Sequence, residues 1–394
     1  MIELAVFLGS GIALGVFTGL LPGLHPNTVI FGTLPFYFST TISFQGYMIF
    51  IIGMSVSHTF HDFLPAIYLG APEAETALST LPGGRMALKG RGQQAFAYSV
   101  YGGLVSVFLL LFLAPVLLWG LEAIYSSFST VIPYALLFFL SFILFRSEEI
   151  RKSFTVAALS SALGIISFRM AVNQHYVLVP VFAGLFAVPS LLHAHRTEFK
   201  IPEQKPPFVR KKAAFQGGAV GVLAGLLAGT VPGIGGAVST TFLSPLLERE
   251  EQFVAALGGV NTSDILVSFL TVYILGKARS GAAVAALSLN RLYPSAMLLM
   301  AGAAVFSVAV SAAVSVKTSG YFLATVQKIR LERILLGVVS FIVGVTVLLT
   351  GLPGLLVLLT ASMIGFAAQV SGHRANCMAV LIVPAMLAST GIFI

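Results

Sequence analysis

Two short segments carry the residue types best suited to chemistry inside an apolar chain. The first reads LPGLHPNT, from Leu21 to Thr28, and the second VPGIGGAVST, from Val231 to Thr240. Proline removes a backbone N–H and glycine accepts unusual dihedral angles, so each Pro-Gly pair is expected to interrupt a helix. In hydrocarbon such a break is tolerated only where protein or a water-filled cavity surrounds the unpaired backbone groups. Freed N–H groups at a positive helix end suit a carboxylate or phosphate, and freed carbonyls suit Na⁺. Pro22, Gly23, His25, Asn27 and Thr28 therefore form one part of a candidate substrate site. Pro232, Gly233, Gly235, Gly236, Ser239 and Thr240 form the other. A plain kink without a ligand is the alternative, and two breaks in corresponding positions weigh against it.

A second group is ionisable. His58, His61 and Asp62 stand at i, i+3 and i+4, which places them on one face of a helix. Asn261, Thr262, Ser263 and Asp264 close the matching stretch of the second half. Acidic residues in apolar sequence usually face a bundle interior or a cavity. Histidine also changes charge near neutral pH. These seven residues are the candidate cation-coupling cluster, for Na⁺ or H⁺, with a solvated interfacial loop as the structural alternative. Two histidines and one aspartate leave a metal shell incomplete, so no metal and no other cofactor is expected. Glu73, Glu75, Arg85, Lys89 and Arg91 fit a re-entrant hairpin or, more simply, a cytoplasmic basic loop. No Walker A run, G-x-S-x-G, H-E-x-x-H or cysteine cluster occurs, so the chain is not read as an enzyme.

The elements that must position these groups follow from composition. Of 394 residues 57% are apolar and only 9% are charged, against about 25% charged in a soluble domain. Soluble enzyme, secreted domain and nucleic-acid binder are excluded for the whole chain, leaving a multi-pass helical protein of the cell membrane. At roughly 20 residues per crossing the apolar content could supply on the order of 10 spans. The net charge of +8 fits basic cytoplasmic loops rather than a nucleic-acid partner. Cys377 is the sole cysteine, so no intrachain disulfide can form. Glu3 stands where a signal peptide would carry a basic residue, and the first segment reads as a retained span.

Residues 196–212, RTEFKIPEQKPPFVRKK, are too polar to cross hydrocarbon and divide the chain into nearly equal halves, 1–195 and 213–394. Each half has an apolar run broken at Pro-Gly, then a polar cluster ending in aspartate, then three closing apolar segments. The closing segments lie near 132–145, 153–168 and 176–194, and near 334–350, 354–370 and 376–392. Loop charge reverses between the halves. Arg146, Arg151 and Lys152 in the first match the uncharged TGLPG at 350–354, whereas Lys317, Lys328, Arg330 and Arg333 match a stretch holding only Glu122. Opposite charge on matching loops predicts an all-α fold of two inverted-topology repeats with broken or re-entrant helices, as in secondary transporters. With the linker cytoplasmic, both termini face outward. Lys277 and Arg279 fit this scheme only on a re-entrant element.

At these motifs the chain resembles the TctA family, the large membrane subunit of tripartite tricarboxylate transporters. GVFTGLLPGLHPNTVIFGTLPF is similar to that family's first Gly-x-Leu-Pro-Gly-Leu segment, and AGTVPGIGG to its second Pro-Gly-Ile-Gly-Gly break. LGAPEAETALSTLPGGRMALKGRGQQAFAYSVYGG and GHRANCMAVLIVPAML resemble its later conserved stretches. Where the family has Leu-Gly-Ile-Pro-Gly-Ser, this chain has LGKARS, from Leu275 to Ser280. The resemblance implies a permease for small organic anions, di- or tricarboxylates, coupled to a cation and working by alternating access. It also implies a small membrane subunit and an extracytoplasmic solute-binding protein as partners, beside membrane lipid. Two other functions remain open on the residues alone: translocation of a polyprenyl-phosphate-type lipid carrier, and an intramembrane metal-dependent enzyme built on His58, His61 and Asp62. If the breaks hold the anion, Gly23→Val and Gly233→Val each abolish uptake at normal expression. Intact uptake in reconstituted vesicles would remove the breaks from the mechanism.

Overall fold

The structure, a computed structural model, describes residues 2–21, 24–69, 82–145, 147, 149–170, 176–196, 201–231, 234–289, 292–328 and 331–392. The first half contains α1 (Ile2–Leu20), α2 (Pro26–Ser39), α3 (Phe44–His61), α4 (Phe63–Leu69), α5 (Pro82–Leu88), α6 (Gly92–Phe128), α7 (Ile132–Phe145) and α8 (Ile150–Arg169). It ends in α9 (Leu178–Phe182) and α10 (Val188–Arg196), joined by a π-helical turn over Ala183–Ala187. The second half contains α11 (Lys211–Thr230), α12 (Gly236–Leu243), α13 (Glu250–Leu275), α14 (Gly281–Ser288), α15 (Pro294–Lys328), α16 (Leu331–Ser371) and α17 (Ala379–Ser389). No strand occurs among the described residues.

Each half is built on a parallel helix pair held by glycine. Gly11, Gly15 and Gly19 recur every four residues on α1 and press against Phe50, Met54 and His58 of α3. A Cβ on Gly19 would lie 2.8 Å from the His58 carbonyl oxygen. Gly217, Gly221, Gly225 and Gly229 do the same on α11, facing Gln252, Ala256, Ser263 and Val267 of α13. Apolar side chains gain little by leaving lipid for a protein interior, so helices in a membrane associate through close backbone approach, and small residues permit it. The register carries one exchange of bulk. On α1 the large residue Phe7 fills the space beside Gly46, whereas on α11 Gly217 lies beside Gln252.

The two halves are interlocked rather than apposed. The long helix α6 of the first half crosses onto α11 and α13, and α15 of the second crosses onto α3. Gly102 of α6 abuts the Ala255 carbonyl, and Gly258 of α13 abuts that of Ser99. The closing segments exchange likewise. Gly164 of α8 lies against the Val380 carbonyl of α17, and Gly365 of α16 against the Leu185 carbonyl of the π turn. The six expected closing segments are present, although α16 runs through two of them. Its kink falls at Gly351, whose φ of 64° is a left-handed value that side chains rarely adopt.

Chain direction differs between the halves. Tyr68, near the end of α4, touches Gly92 at the start of α6. There the linker is strapped down: the Gly92 N–H donates to Gln204 Oε1 at 2.6 Å, and the Lys205 N–H to the Gly90 carbonyl at 2.8 Å. Arg85 pairs with Glu250 at 2.9 Å, and Arg91 pairs with Glu251, at the start of α13. Hence α1 and α3 run toward the linker, while α11 and α13 run away from it. Among the described residues six helices are long and apolar enough to cross a membrane: α1, α6, α11, α13, α15 and α16. This is an integral membrane protein. Six is fewer than the apolar content alone suggested, because much of that content sits in short helices and in α3. The latter is as long as a span, but Gln45, Ser55, Ser57, His58 and His61 lower its hydropathy, and nearly all of it is buried in protein.

Gly15→Ala or Gly221→Ala forces a Cβ against backbone and should destabilise the protein by about 1–3 kcal/mol. Gly9→Ala, where an added Cβ meets nothing within 4 Å, should be neutral or slightly stabilising. Thermal unfolding of the detergent-purified variants distinguishes the two.

Candidate functional site

The polar clusters of the two halves meet where α3 crosses α13. The Asn261 side-chain amide donates to Asp62 Oδ2 at 2.8 Å, and the hydroxyls of Thr59 and Thr262 lie 3.2 Å apart. Asp62 is 3% exposed and Asn261 4%, so this seam lies inside the protein. Asn261 stands eleven residues into α13, about 16 Å along it at 1.5 Å per residue. A carboxylate at such depth is costly unless it is paired, hydrogen-bonded or meets an ion. The interfacial-loop alternative is thereby excluded.

The three ionisable residues of α3 do not act on one partner, despite their shared helical face. His58 Nδ1 lies 3.0 Å from Thr18 Oγ1 on α1, and its ring centroid lies 5.5 Å from that of His25. His61 Nδ1 lies 2.7 Å from the Ser57 carbonyl oxygen, a contact that makes it the donor and leaves Nε2 as an acceptor. That Nε2 is buried with no hydrogen-bond partner, and so are the hydroxyls of Ser55, Ser57 and Ser268. Buried polar atoms without partners are rare and mark places for water or an ion. No group of three or more His, Cys, Asp or Glu side chains among the described residues is arranged to hold a metal.

Packing register revises the match between halves. Gly15 faces Ser57 and His58, whereas Gly225 faces Ser263 and Asp264. His58 is therefore the counterpart of Asp264, and Asp62 that of Ser268. The two aspartates thus stand one helical turn apart in packing register. Asp264 lies toward Gly225 and Gly229 of α11. Ser263 donates back to the Gly259 carbonyl at 2.8 Å, and Thr262 to that of Gly258 at 3.2 Å, as well as facing Thr59.

Both helix breaks occur where the Pro-Gly pairs predict. Pro22, Gly23, Pro232 and Gly233 themselves lie outside the described residues, as does the side chain of Thr28. At the first break His25 caps α2, its Nδ1 accepting from the Asn27 N–H at 3.1 Å. The break is a reversal of direction, since Ile30 and Thr33 of α2 lie back beside Tyr47 near the start of α3. Asn27 abuts Gly281 at the start of α14, where a Cβ would sit 2.5 Å from the Asn27 side-chain carbon. Ser280 caps α14 by accepting from the Ala283 N–H at 3.2 Å. This contact joins the first break to the second half, and nothing in the spacing of either segment signals it.

At the second break Gly235 is the N-cap of α12, and Gly236 packs on Val260, one residue before Asn261. Ser239 and Thr240 are buried and spend their hydroxyls on helix carbonyls, Thr240 on Gly236 at 2.8 Å. Each hydroxyl hydrogen is thereby engaged within α12. Beyond α13, which stops at the left-handed Gly276, Lys277 and Arg279 lie on an extended stretch leading to α14 and both reach Tyr125 of α6. Thr18, Thr59 and Tyr125 are site residues that residue type alone did not single out. Thr18 carried the only signal, being on the glycine face of α1 just before the break.

The chain is 29% identical over 398 residues to an uncharacterized protein of Methanocaldococcus jannaschii, covering 97% of this chain and 98% of that one. It is 34% identical over 110 residues to an uncharacterized 52.8 kDa protein of Agrobacterium vitis, covering 27% of this chain and 22% of that one. No solved structure matches. The sequence profile of the tripartite tricarboxylate transporter TctA family matches residues 4–379. With nearly the whole chain matched, and with paired helix breaks flanking a buried polar seam, this membrane protein belongs to the TctA family of transporters.

Proposed function

We propose that this chain is the permease of a cation-coupled system for small organic anions, with the di- and tricarboxylates of the family's description as first candidates. Its two halves, 1–195 and 213–394, act as inverted-topology repeats joined by a cytoplasmic linker at 196–212. The opposed directions of α1 with α3 and of α11 with α13 support the inversion, as does the loop-charge reversal. A small membrane subunit and an extracytoplasmic solute-binding protein are proposed partners, on the tripartite character of the family.

The observation that carries this reading is the seam between Asp62 and Asn261. It joins the two halves at one buried crossing, so rocking one half against the other must make or break it. The Asp62 carboxylate, the hydroxyls of Thr59 and Thr262 and the unpartnered His61 nitrogen would supply oxygen and nitrogen ligands for Na⁺ or a carrier for H⁺. His25 and Asn27 on one side and Gly235 with Gly236 on the other bring the two breaks to α3 and α13 beside it. The anion would sit there, taken by backbone N–H groups, and the cation at Asp62 would offset its charge.

Asp62→Asn keeps a hydrogen-bonding partner for Asn261 but loses the charge. Gradient-driven anion uptake into proteoliposomes should fall about tenfold or more, while counterflow of the same anion persists. Unchanged driven uptake would remove Asp62 from coupling. Gly281→Val should stop both uptake and counterflow by pushing Asn27 away from the first break, and normal transport by that variant would disconnect α14 from the site.

A further inference from the structure

A cavity of about 330 Å³ lies beside the second helix break. Its wall is hydrocarbon, contributed by Leu121 and Tyr125 of α6, Ala135 and Phe139 of α7, and Leu227 and Val231 at the end of α11. At Tyr125 two cations converge on one oxygen: Lys277 Nζ donates to the phenol at 3.2 Å and Arg279 Nη2 at 2.9 Å. The lysine nitrogen also lies 4.4 Å from the Tyr125 ring centroid.

These charges are uncompensated. Among the described residues neither cation has a carboxylate within ion-pair distance, and Arg279 Nε is buried with no hydrogen-bond partner. At the linker end Arg85 and Arg91 each have a glutamate. Lys277 is exposed and Arg279 half-buried, so the arginine is the more desolvated of two like charges held on one oxygen, an arrangement that an anion relieves. The phenol accepts from both cations, which leaves its single hydrogen to donate, and among the described residues no acceptor takes it. Two cations and a phenol hydrogen thus gather at Tyr125, whose ring forms part of the chamber wall.

We infer that this chamber binds a carboxylate whose body is apolar, the acid group held by Lys277, Arg279 and Tyr125 and the body lodged against the cavity wall. The inference rests on the permease reading and narrows its substrate class. The volume is within the range of small-ligand pockets and is less than a pair of acyl chains needs. A tricarboxylate would press further charges against hydrocarbon, where nothing pays for their lost hydration.

The test uses the detergent-purified full chain with 4-phenylbutyrate, its neutral amide and citrate as probes. Only the phenylbutyrate should raise the unfolding temperature, because a ligand of the folded state stabilises it. Lys277→Met with Arg279→Met should weaken that binding about tenfold or more. Ala135→Trp, which fills the chamber, should abolish it, and Tyr125→Phe gives a milder probe should the larger change disturb folding. Tighter binding of citrate, or phenylbutyrate affinity retained in the double variant, overturns the inference. Displacement by phosphatidylglycerol but by no soluble carboxylate also overturns it and gives the chamber to lipid. Uptake into phosphatidylcholine vesicles separates this from the parent reading. Uptake of citrate with no phenylbutyrate binding sinks the inference and leaves the permease standing. Phenylbutyrate binding with no uptake of any anion does the reverse.

Discussion

The approach of α1 to α3, and of α11 to α13, governs the geometry of everything else in this protein. Glycines spaced four apart put one helix backbone directly on the other, so the pairs cannot slide or rotate without collision. That register decides which residues of α3 and α13 face inward at the crossing. It brings the end of α1, and so the first break, to the level of His58 and Asp62. On α11 the same spacing brings the second break to the level of Val267. Each break is therefore reached at a fixed height along a rigid neighbour, although the segments at the breaks are themselves irregular.

Interlocking of the halves follows from the same economy. A helix pair with small residues on its outer face still has to cover those backbone carbonyls, and α6 and α15 do so from the opposite half. The exchange makes each half incomplete alone. In the proposed cycle, relative motion would be carried by the surfaces between these interlocked groups, where α3 meets α13 through polar contacts. Asp62 with Asn261, and Thr59 with Thr262, are such contacts, and a hydrogen bond can be traded for one to water or an ion with little net change in free energy.

Charge is partitioned along the molecule. Near the linker, Arg85 and Arg91 have glutamate partners at the start of α13, and the linker backbone is hydrogen-bonded to the turn before α6. Solvent-exposed pairs of this kind contribute little stability, but they set where α13 begins. At the other end Lys277 and Arg279 are matched only by a neutral phenol. The LGKARS stretch carries two cations where the family has a Pro-Gly turn, and the structure brings both to Tyr125 of α6, a residue of the chamber wall.

What the sequence determined by itself are the properties set by local rules. Hydropathy sufficed for the membrane and the all-helical class, since unpaired backbone in lipid leaves few alternatives. Proline with glycine sufficed for the two breaks, and TGLPG at 350–354 for the boundary between two closing segments, which the structure makes a kink at Gly351 rather than a loop. Even the six closing segments could be read from apolar runs and their punctuation. Tertiary structure alone decided who meets whom. The faces of His58, His61 and Asp62 share a helical stripe, yet they address α1, their own helix and α13, because three neighbours converge on that stripe. Asp264 matches His58 rather than Asp62, because register is set by backbone contacts at Gly15 and Gly225 and not by residue type. Tyr125 carries no signal in an apolar helix, and gains its partners only from the crossing of α6 over the second half. Such pairings depend on crossing angles and helix registers over 150 or more residues of chain, which periodicity within one segment does not encode.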